Sequence, residues 1–400
     1  MELLASAVLN ITSKILTECD LCFEFLGGIM NRRKFIGIAG VAVITVGAGG
    51  YLLSDKSNLS RADIKAADDK STILKPDEKE ILFLASLAPS GHNTQPWFVQ
   101  YLAPYHWIVG NDQSKWLPAV DPNQRETVLS IGAFVQNLEL AANSLGYVCN
   151  WNLLAQTNQD EKVLEVKLTK TEANNNFDIV KIKNRRTVRS DYLSDVLKKD
   201  DLEFICGSES ELFTYLPNNS KESHFINEQT IEANRLQTYR DAAQAELAEW
   251  IRLSSDDAAK HRDGLTTATM EIEGFAGWLV RNFYNKESVM TKDFREKGLD
   301  KVKEQVSKSA GWILMTSKNE AVETLLETGR SWQRFLLNVR EKNIAIHPMT
   351  QIVEENSTRE TLNKSIGIHE NIQFIMRAGY VKNYPPPVSL RRPVDWFVRS

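Results

Sequence analysis

The chain has few of the side chains that usually bind metals, and it has no glycine motif for a dinucleotide. It contains 6 histidines and 4 cysteines among 400 residues, and no two histidines stand in H-x-H or H-x-x-x-H spacing. This pattern predicts no metal site. The absence of G-x-G-x-x-G excludes a separate Rossmann nicotinamide domain. A formal net charge of -4, with acidic and basic residues interspersed, predicts that nucleic acid is not a partner.

The four cysteines give no sign of redox or metal chemistry. Cys19 and Cys22 form a C-x-x-C pair, but they precede the apolar segment described next and no βαβ pattern surrounds them. Cys149 and Cys206 lie far apart in the sequence, so we expect two free or buried thiols. A single disulfide between them is the alternative in an oxidising compartment.

An export signal is predicted near the N-terminus. Arg32 and Arg33 precede an uncharged apolar stretch over residues 35–53, and a basic region followed by an apolar one is typical of a signal. The arginine pair resembles a twin-arginine signal, which implies the twin-arginine export machinery as a partner and a periplasmic or extracytoplasmic location. A membrane tether through residues 35–53 is the alternative, since this length spans a bilayer.

The same region sets the first domain boundaries. Twin-arginine signals usually start a few residues before the arginines, and Met30 lies directly before the segment that carries them. We therefore interpret residues 1–29 as an upstream extension and residues 30–54 as the signal. Residues 55–75 are polar and short of aromatic side chains, so they are predicted to form a linker.

Local patterns predict an α+β chain from residue 76 onward. Apolar spacing predicts a short helix near residue 76 and a longer one over about 125–145, closed by Gly146. Between them, "WFVQYL" and "HWIVGN" are typical of a β-hairpin. Further strands are predicted at "KVLEVKL", "LFTYLP" and "GWILMTS", and further helices over about 225–305 and 321–343.

The order strand, linker, helix occurs twice, about two hundred residues apart. Gly132 and Gln136 in the earlier helix have the same spacing as Gly329 and Gln333 in the later one. This agreement favours a duplication, although two similar amphipathic helices also arise by chance.

Residues 88–97, "APSGHNTQPW", are predicted to form a ligand-binding loop. Ser90 and Asn93 offer a hydroxyl and an amide, and Gly91 permits a close backbone approach. Gln95 precedes a proline, which biases its backbone toward extended geometry. A structural turn with a capping serine is the alternative interpretation.

Two arginine-rich segments are candidates for binding an anion. In "NRRTVRSDY", Arg185, Arg186 and Arg189 lie close together, and guanidinium groups match the oxygens of phosphate. A proline-rich segment near the C-terminus carries Arg391 and Arg392. Each segment also has a structural alternative, a solvated helix start for the first and a surface tail for the second.

Together these segments resemble the nitroreductase superfamily of FMN proteins. The matching stretches include "LASLAPSGHNTQPWFVQ", "NRRTVRSDY", "GRSWQRFLLNVREKNIAIHPMTQ" and "SLRRPV", and they span roughly residues 75–400. Their order is similar to that of the Acg branch, whose chains contain two nitroreductase-like halves. The resemblance implies an α+β nitroreductase-like fold, with two fused halves forming an intramolecular pseudo-dimer around a mixed sheet with flanking helices. The implied halves are 76–180 and 181–400, with a helical, lid-like insertion near 225–305.

The resemblance also implies which residues bind one FMN. The loop would contact the flavin and the arginines would hold its phosphate and ribityl groups. The implied set is Pro89, Ser90, Gly91, Asn93, Gln95, Arg185, Arg186, Thr187, Arg189, Arg391 and Arg392. Thr187 stands where the family signature has serine, which keeps the hydroxyl and adds a methyl group. The arginine signature normally begins the family fold but here follows the loop, as fusion of two halves would give.

The expected function is that of an FMN-dependent oxidoreductase of nitroreductase type. It would pass electrons from a reduced small-molecule donor to an organic acceptor, nitroaromatic or quinone-like. No side chain is assigned as catalytic, because the flavin carries the redox chemistry, and His92 is expected to be structural. An FMN-binding or FMN-sequestering protein without turnover is one alternative, since the insertion could close the acceptor pocket. A degenerate scaffold without a cofactor is the other.

Overall fold

The computed structural model describes Arg61 and residues 73–172, 177–190 and 192–400. The expected export signal, Cys19 and Cys22 lie outside the described residues. The helices are α1 (Pro76–Ser86), α2 (Arg125–Ser144), α3 (Val180–Asn184), α4 (Lys199–Cys206), α5 (Lys221–Tyr239), α6 (Asp241–Trp250), α7 (Ser255–His261), α8 (Gly274–Phe283), α9 (Lys286–Val289), α10 (Lys292–Ser307), α11 (Val322–Asn338), α12 (Gln351–Glu354) and α13 (Asn356–Ile366). The strands are β1 (Trp97–Ala103), β2 (His106–Asn111), β3 (Tyr147–Leu153), β4 (Lys162–Lys170), β5 (Phe213–Pro217), β6 (Ile251–Arg252), β7 (Leu265–Thr266), β8 (Gly311–Ser317), β9 (Ile344–Pro348), β10 (Asn371–Tyr380) and β11 (Val398–Arg399).

These elements confirm the α+β class predicted from the sequence. The predicted hairpin is β1 and β2, which pair in antiparallel register with Trp97 opposite Asn111. The predicted long helix is α2, and Gly146 follows it with a φ of 80°. Glycine adopts this left-handed conformation without steric cost, which is why it ends helices. The region from about 225 to 305 is mainly helical, from α5 to α10.

The mixed sheet has five strands in the order β11-β1-β2-β4-β3. All neighbours in it are antiparallel except β11, the C-terminal strand, which runs parallel to β1 with Val398 opposite Val99. The inward side chains of this sheet, Trp97 and Trp107 among them, are fully buried in the main core with α2. The last residues of the chain are therefore held beside the loop that precedes β1.

A second sheet has four antiparallel strands in the order β5-β8-β10-β9. Every residue of its central strand β8 is buried. Ile313 and Met315 belong to the main core, whereas Trp312 and Leu314 belong to a smaller core with residues of α5 and α12. Because alternate side chains of a strand point to opposite faces, this sheet is covered on both sides. Residues 311–315 of β8 accordingly form a continuous apolar run, and the strand ends in two buried hydroxyl residues.

Helices α2 and α11 cross at two glycines. A Cβ on Gly132 would lie within 3.0 Å of the Gly329 Cα, and a Cβ on Gly329 would lie within 2.9 Å of the Leu129 Cα. The crossing also carries polar contacts, because Gln333 Nε2 donates a hydrogen bond to Asn137 Oδ1 at 2.7 Å. The glycine spacing noted in the sequence therefore marks the point where the two helices come closest.

Each of the two sheets is built from one part of the chain, except that β11 joins the first sheet from the C-terminal part. Strands β1 to β4 precede residue 180, and strands β5, β8, β9 and β10 follow it. The division into halves at residue 180, and the role of the insertion as a lid, stay predictions.

Cys149 and Cys206 are both free thiols. Burial raises the pKa of Cys149 to about 12 and that of Cys206 to about 11, so neither thiol is ionised near neutral pH. Across the described ranges, no helix has the length and apolar character needed to cross a membrane, and no group of three metal-binding side chains is found there.

Candidate functional site

A cavity of about 340 Å³ lies where several distant segments of the chain meet. This volume falls in the range of about 300–1,000 Å³ that is typical of small-molecule sites. The loop at 89–93, the start of α2, helices α5 and α6, and residues 347–354 contribute to its lining. Four residues predicted for the site lie in the loop part of this lining: Pro89, Ser90, Gly91 and Asn93.

The loop is held in a strained backbone conformation. His92, Asn93 and Gln95 have φ values of 45°, 56° and 55°, in the left-handed region that side-chain-bearing residues seldom adopt. Hydrogen bonds stabilise it, since Ser90 Oγ accepts one from the Gln95 N–H at 2.9 Å. Backbone strain of this kind concentrates at functional sites.

The structure corrects the expectation for Gln95. Its backbone is left-handed rather than extended. Its side chain is fully buried and does not line the cavity. Gln95 Nε2 donates to the Arg262 carbonyl at 3.0 Å, and Gln95 Oε1 accepts from the Arg392 N–H at 3.0 Å. These two bonds outweigh the bias from the following proline, and they tie the loop to the insertion and to the C-terminal segment.

Asn93 also has protein partners for its amide. Its Nδ2 donates to the Gly264 carbonyl at 3.0 Å, and its Oδ1 accepts from Arg391 at 2.7 Å. The side chain therefore lines the cavity and at the same time positions Arg391.

The arginine segment presents alternate residues to the cavity. Helix α3 ends at Asn184, and Arg185 is extended with φ −61° and ψ 132°. Arg185, Thr187 and Arg189 line the cavity. The residues between them, among which is Arg186, line a separate cleft of about 780 Å³. This alternation is the one that an extended backbone imposes on successive side chains.

Arg186 is therefore not brought to the cavity. Its guanidinium lies 3.1 Å from the Glu271 carboxylate and donates to the Pro386 carbonyl at 2.6 Å. The C-terminal pair separates in the same way, because Arg391 lines the cavity and Arg392 does not. Arg392 donates to the carbonyls of Gln95 at 2.5 Å and Trp97 at 2.9 Å. Of each predicted adjacent pair, one arginine reaches the cavity.

Arg185 and Arg391 are buried guanidinium groups without a carboxylate partner among the described residues. Arg391 donates only to carbonyls and to the Asn93 amide oxygen. Arg185 has one long hydrogen bond, 3.4 Å to the Leu87 carbonyl, and its buried Nε has no partner. Burial lowers the pKa of Arg185 to about 10 and holds the pKa of Arg391 well below its usual range. This end of the cavity is positively charged, and the hydrogen-bond donors of Arg185 are not all paired.

Sequence reasoning missed Arg61, which it assigned to a linker. Arg61 is 8 % exposed, and its guanidinium donates to the carbonyls of Arg185 at 3.2 Å and Ile182 at 3.4 Å. Its charge adds to that of Arg185 in lowering the pKa of Arg391. No motif surrounds this residue in the sequence, so only its packing identifies it.

Sequence reasoning also missed a pair of acidic residues in the lining. Glu126 lies in the first turn of α2 and Glu354 is the last residue of α12. A Cβ on Gly91 would lie 2.9 Å from Glu126 Oε2, so the absence of a side chain at Gly91 leaves room for this carboxylate. No sequence pattern links the two glutamates, and their separation along the chain conceals the pairing.

Two neutral histidines complete the polar lining. His92 and His347 each have a buried Nδ1 without a described partner. Burial lowers the pKa of His92 to about 4, with the charge of Arg189 as a further cause, and it lowers the pKa of His347 as well. Both imidazoles are therefore uncharged at neutral pH and offer hydrogen bonds rather than charge.

No protein-family model matches the chain. Two relatives are similar over most of it. The acg protein of Mycobacterium tuberculosis, which its name proposes to be an NAD(P)H nitroreductase, is 24% identical over 329 residues, 79% of this chain and 93% of the relative. PigM of Serratia sp., a probable NAD(P)H nitroreductase, is 22% identical over 312 residues, 74% of this chain and 86% of that protein.

Solved structures are also similar to the chain. A proposed nitroreductase from Anabaena variabilis has a TM-score of 0.37 and 10% identity, covering 82% of this chain and 98% of that chain. The FMN-dependent nitroreductase NfnB from Mycobacterium smegmatis, in complex with NADPH, has a TM-score of 0.34 and 13% identity, covering 55% of this chain and 96% of that chain. All four of these proteins are described as nitroreductases.

Proposed function

We propose that the chain is an FMN-dependent oxidoreductase of nitroreductase type that passes electrons from a reduced small-molecule donor to an organic acceptor. The observation that carries this proposal is the buried pair Arg185 and Arg391, which has no counter-charge among the described residues. A buried charge without a partner is costly, and the phosphate of a bound ligand would neutralise it. The two relatives named as NAD(P)H nitroreductases support the same reaction class.

The lining of the cavity fits FMN. Arg185 and Arg391 would hold the phosphate through charge-assisted hydrogen bonds. The rings of Trp332 and Phe374 are stacked, with their centroids 4.0 Å apart. Both residues line the same cavity and offer an apolar surface for a ring system. Bound FMN would supply the redox chemistry, and the protein would supply orientation and electrostatics.

Sequestration of FMN without turnover is the second candidate, and one observation favours it. Residues of α5 and α6 line the cavity, and Gly264 beyond them accepts a hydrogen bond from Asn93 in the loop. The insertion would therefore cover the bound flavin. The two functions differ in reoxidation: an oxidoreductase returns reduced flavin to the oxidised form rapidly when a quinone is added, and a sequestering protein does not.

We expect the full-length chain to purify with FMN bound. The preparation should be yellow, and flavin released by acid should be FMN at about one per chain, because the loop at 88–97 occurs once. NADPH and a soluble quinone serve as donor and acceptor probes. A colourless protein that does not take up added FMN would overturn the proposal and would favour a degenerate scaffold.

The two adjacent arginines give this test a matched control. Arg185→Gln should weaken FMN binding by about 1.5–3 kcal/mol, the usual contribution of a hydrogen bond to a charged group, and should leave riboflavin, which lacks the phosphate, nearly unaffected. Arg186→Gln should leave the ratio of the FMN affinity to the riboflavin affinity unchanged, since Arg186 pairs with Glu271 outside the cavity. Fluorescence titration of both variants measures the ratios. A reduced ratio in Arg186→Gln alone would mean that the phosphate lies at the other cleft.

We also propose that the chain is exported through its twin-arginine signal. The proposal rests on Arg32, Arg33 and the apolar stretch at 35–53. Replacing both arginines by lysine should retain the precursor in the cytoplasm, because the guanidinium group is not interchangeable with an ammonium group. Cell fractionation checks this, and normal export of the double variant would favour a general secretory signal or a membrane tether.

A further inference from the structure

Two glutamates from different parts of the chain meet in the cavity lining. Thr350 Oγ1 donates a hydrogen bond to Glu126 Oε1 at 3.0 Å, and Gln237 Nε2 donates to Glu354 Oε2 at 2.6 Å. The Glu126 side chain is 13% exposed. The first turn of α2, the end of α12 and the face of α5 thus hold two carboxyl groups at one place in the cavity.

The surroundings of this pair favour a shared proton. Arg125 Nη2 lies 3.6 Å from Glu126 Oε1 and supplies one positive charge, while Asp121 adds a negative one. The neighbouring Glu355 is neutralised by Arg240 at 2.5 Å. Two carboxylates close together in a buried site do not both ionise.

The pKa values follow from this arrangement. Burial raises the pKa of Glu354 to about 8, with the charge of Glu126 as the next cause. Burial also raises the pKa of Glu126, against the effect of Arg125. The pair therefore holds at least one proton at neutral pH.

No other titratable side chain in the described cavity lining can give up a proton near neutral pH. His92 and His347 are already neutral. The three arginines in the lining do not act as acids in this pH range, because a guanidinium group holds its proton in proteins, and the pKa of Arg185 is about 10. Only the pair of Glu126 and Glu354 combines a retained proton with access to the cavity.

We propose that Glu126 and Glu354 share an acidic proton and donate it to the organic acceptor as that acceptor is reduced in the cavity. This inference rests on the proposed function. Reduction of a quinone to a hydroquinone takes two electrons and two protons. Bound reduced flavin would supply both electrons and one proton together, as a hydride. The second comes from the carboxylic acid, whose O–H bond breaks as the hydroquinone O–H bond forms, and the pair recovers its proton from solvent.

The first test needs no flavin. A carboxyl group whose pKa is raised by folding stabilises the protein below its ordinary pKa of 4.5, and this contribution is lost as the pH rises through about 8. The thermal unfolding midpoint of the full-length wild type should therefore fall over this interval relative to that of Glu354→Gln, which lacks the titrating group. Glu360→Gln, the same change on the exposed face of α13, should keep the wild-type slope. If the unfolding midpoints of the wild type and of Glu354→Gln change with pH in parallel, the shared proton is overturned.

The second test separates proton delivery from electron delivery. With NADPH as donor, Glu354→Gln should reduce a quinone on the order of 100-fold more slowly, the usual contribution of a general acid. It should reduce ferricyanide, which takes up an electron and no proton, at nearly the wild-type rate. Equal slowing with both acceptors would overturn the proposal.

The outcomes distinguish this inference from the proposed function. If the wild type binds no FMN, the proposed function fails and the inference falls with it, whatever the pH profile. If FMN is bound and reduced but quinone reduction is unchanged in Glu354→Gln, the proposed function stands and the inference fails. Glu126→Gln is taken through both tests in case Glu354→Gln does not fold. Because burial still raises the pKa of Glu354 in this variant, it should flatten the pH dependence of the unfolding midpoint only in part, and it should slow quinone reduction but not ferricyanide reduction. An unchanged pH dependence together with an unchanged rate of quinone reduction would overturn the shared proton.

Discussion

Replacing Arg391 by leucine is expected to lower the free energy of unfolding by about 3 kcal/mol and to weaken FMN binding more than about 100-fold. Arg391 is 1% exposed and donates hydrogen bonds to five acceptors. These acceptors are the carbonyls of Ser86, Leu87, Ala88 and Leu390 and the Asn93 side chain. A buried acceptor that loses its donor costs about 1–3 kcal/mol.

Two effects of opposite sign decide the magnitude. The substitution removes a buried charge and its repulsion from Arg61 and Arg185. Burial first, and this repulsion second, lower the pKa of Arg391 in the folded chain. It also leaves the turn between α1 and the loop without its donors, at 2.6 Å to Ser86 and 2.9 Å to Ala88. A carbonyl accepts more than one hydrogen bond, so an acceptor that loses Arg391 can keep another partner. We therefore place the loss of unfolding free energy at the low end of the sum over the five acceptors. The loss of hydrogen bonds still exceeds the relief of repulsion.

Urea denaturation and FMN titration of Arg391→Leu and Arg391→Lys measure this prediction. Lysine keeps the positive charge but has no planar fork of donors, so it should recover part of the FMN affinity and little of the stability. Unchanged FMN affinity in Arg391→Leu would place the anion-binding end of the cavity elsewhere.

Local elements were predictable because their signals are local. The hairpin of β1 and β2 follows from two short β-rich segments with a turn between them. Helix α2 follows from apolar spacing and a closing glycine. In contrast, β11 has two residues and pairs with β1 almost three hundred positions away. A segment of that length carries no periodicity, so its pairing is decided by tertiary packing.

The site was predictable as a set of segments and not as a set of side chains. Both arginine segments reach the cavity, yet Arg186 and Arg392 point away from it. Adjacent residues of an extended chain face opposite sides. Helix α3 ends at Asn184 and Arg185 is extended, so a prediction of this helix end would have placed Arg185 and Arg186 on opposite sides. The pairing of Glu126 with Glu354 had no such signal, because the two residues lie far apart in the sequence and come together only in the cavity lining.

The contact between α2 and α11 gives the second large effect. We expect Gly329→Ala to lower the free energy of unfolding by about 3 kcal/mol, at the upper end of the usual cost of overpacking. The added methyl group would lie 2.8 Å from the Leu129 carbonyl carbon and 2.9 Å from its Cα. These are backbone atoms of a buried helix, so they cannot move aside as a flexible side chain would, and the two helices must separate.

Gly298→Ala is the matched control for this prediction. Gly298 lies on the exposed face of α10, and a Cβ there would meet no atom within 4 Å. Alanine is favoured over glycine inside a helix by about 0.5–1 kcal/mol, so this variant should be slightly more stable than the wild type. The same preference acts at Gly329 and is already included in the expected loss. If urea denaturation shows Gly329→Ala to be as stable as Gly298→Ala, the close crossing of α2 and α11 is wrong.

Gly132→Ala tests whether the crossing is reciprocal. Its methyl group would meet the Leu326 carbonyl, and the methyl group at Gly329 would meet the Leu129 carbonyl, so each glycine faces the residue three positions before the other. Both substitutions are relieved by the same separation of the helices. The double variant should therefore lose less stability than the sum of the two single variants, as expected for residues in direct contact. Additive losses would mean that the two glycines act at independent sites, which the reciprocal geometry does not allow.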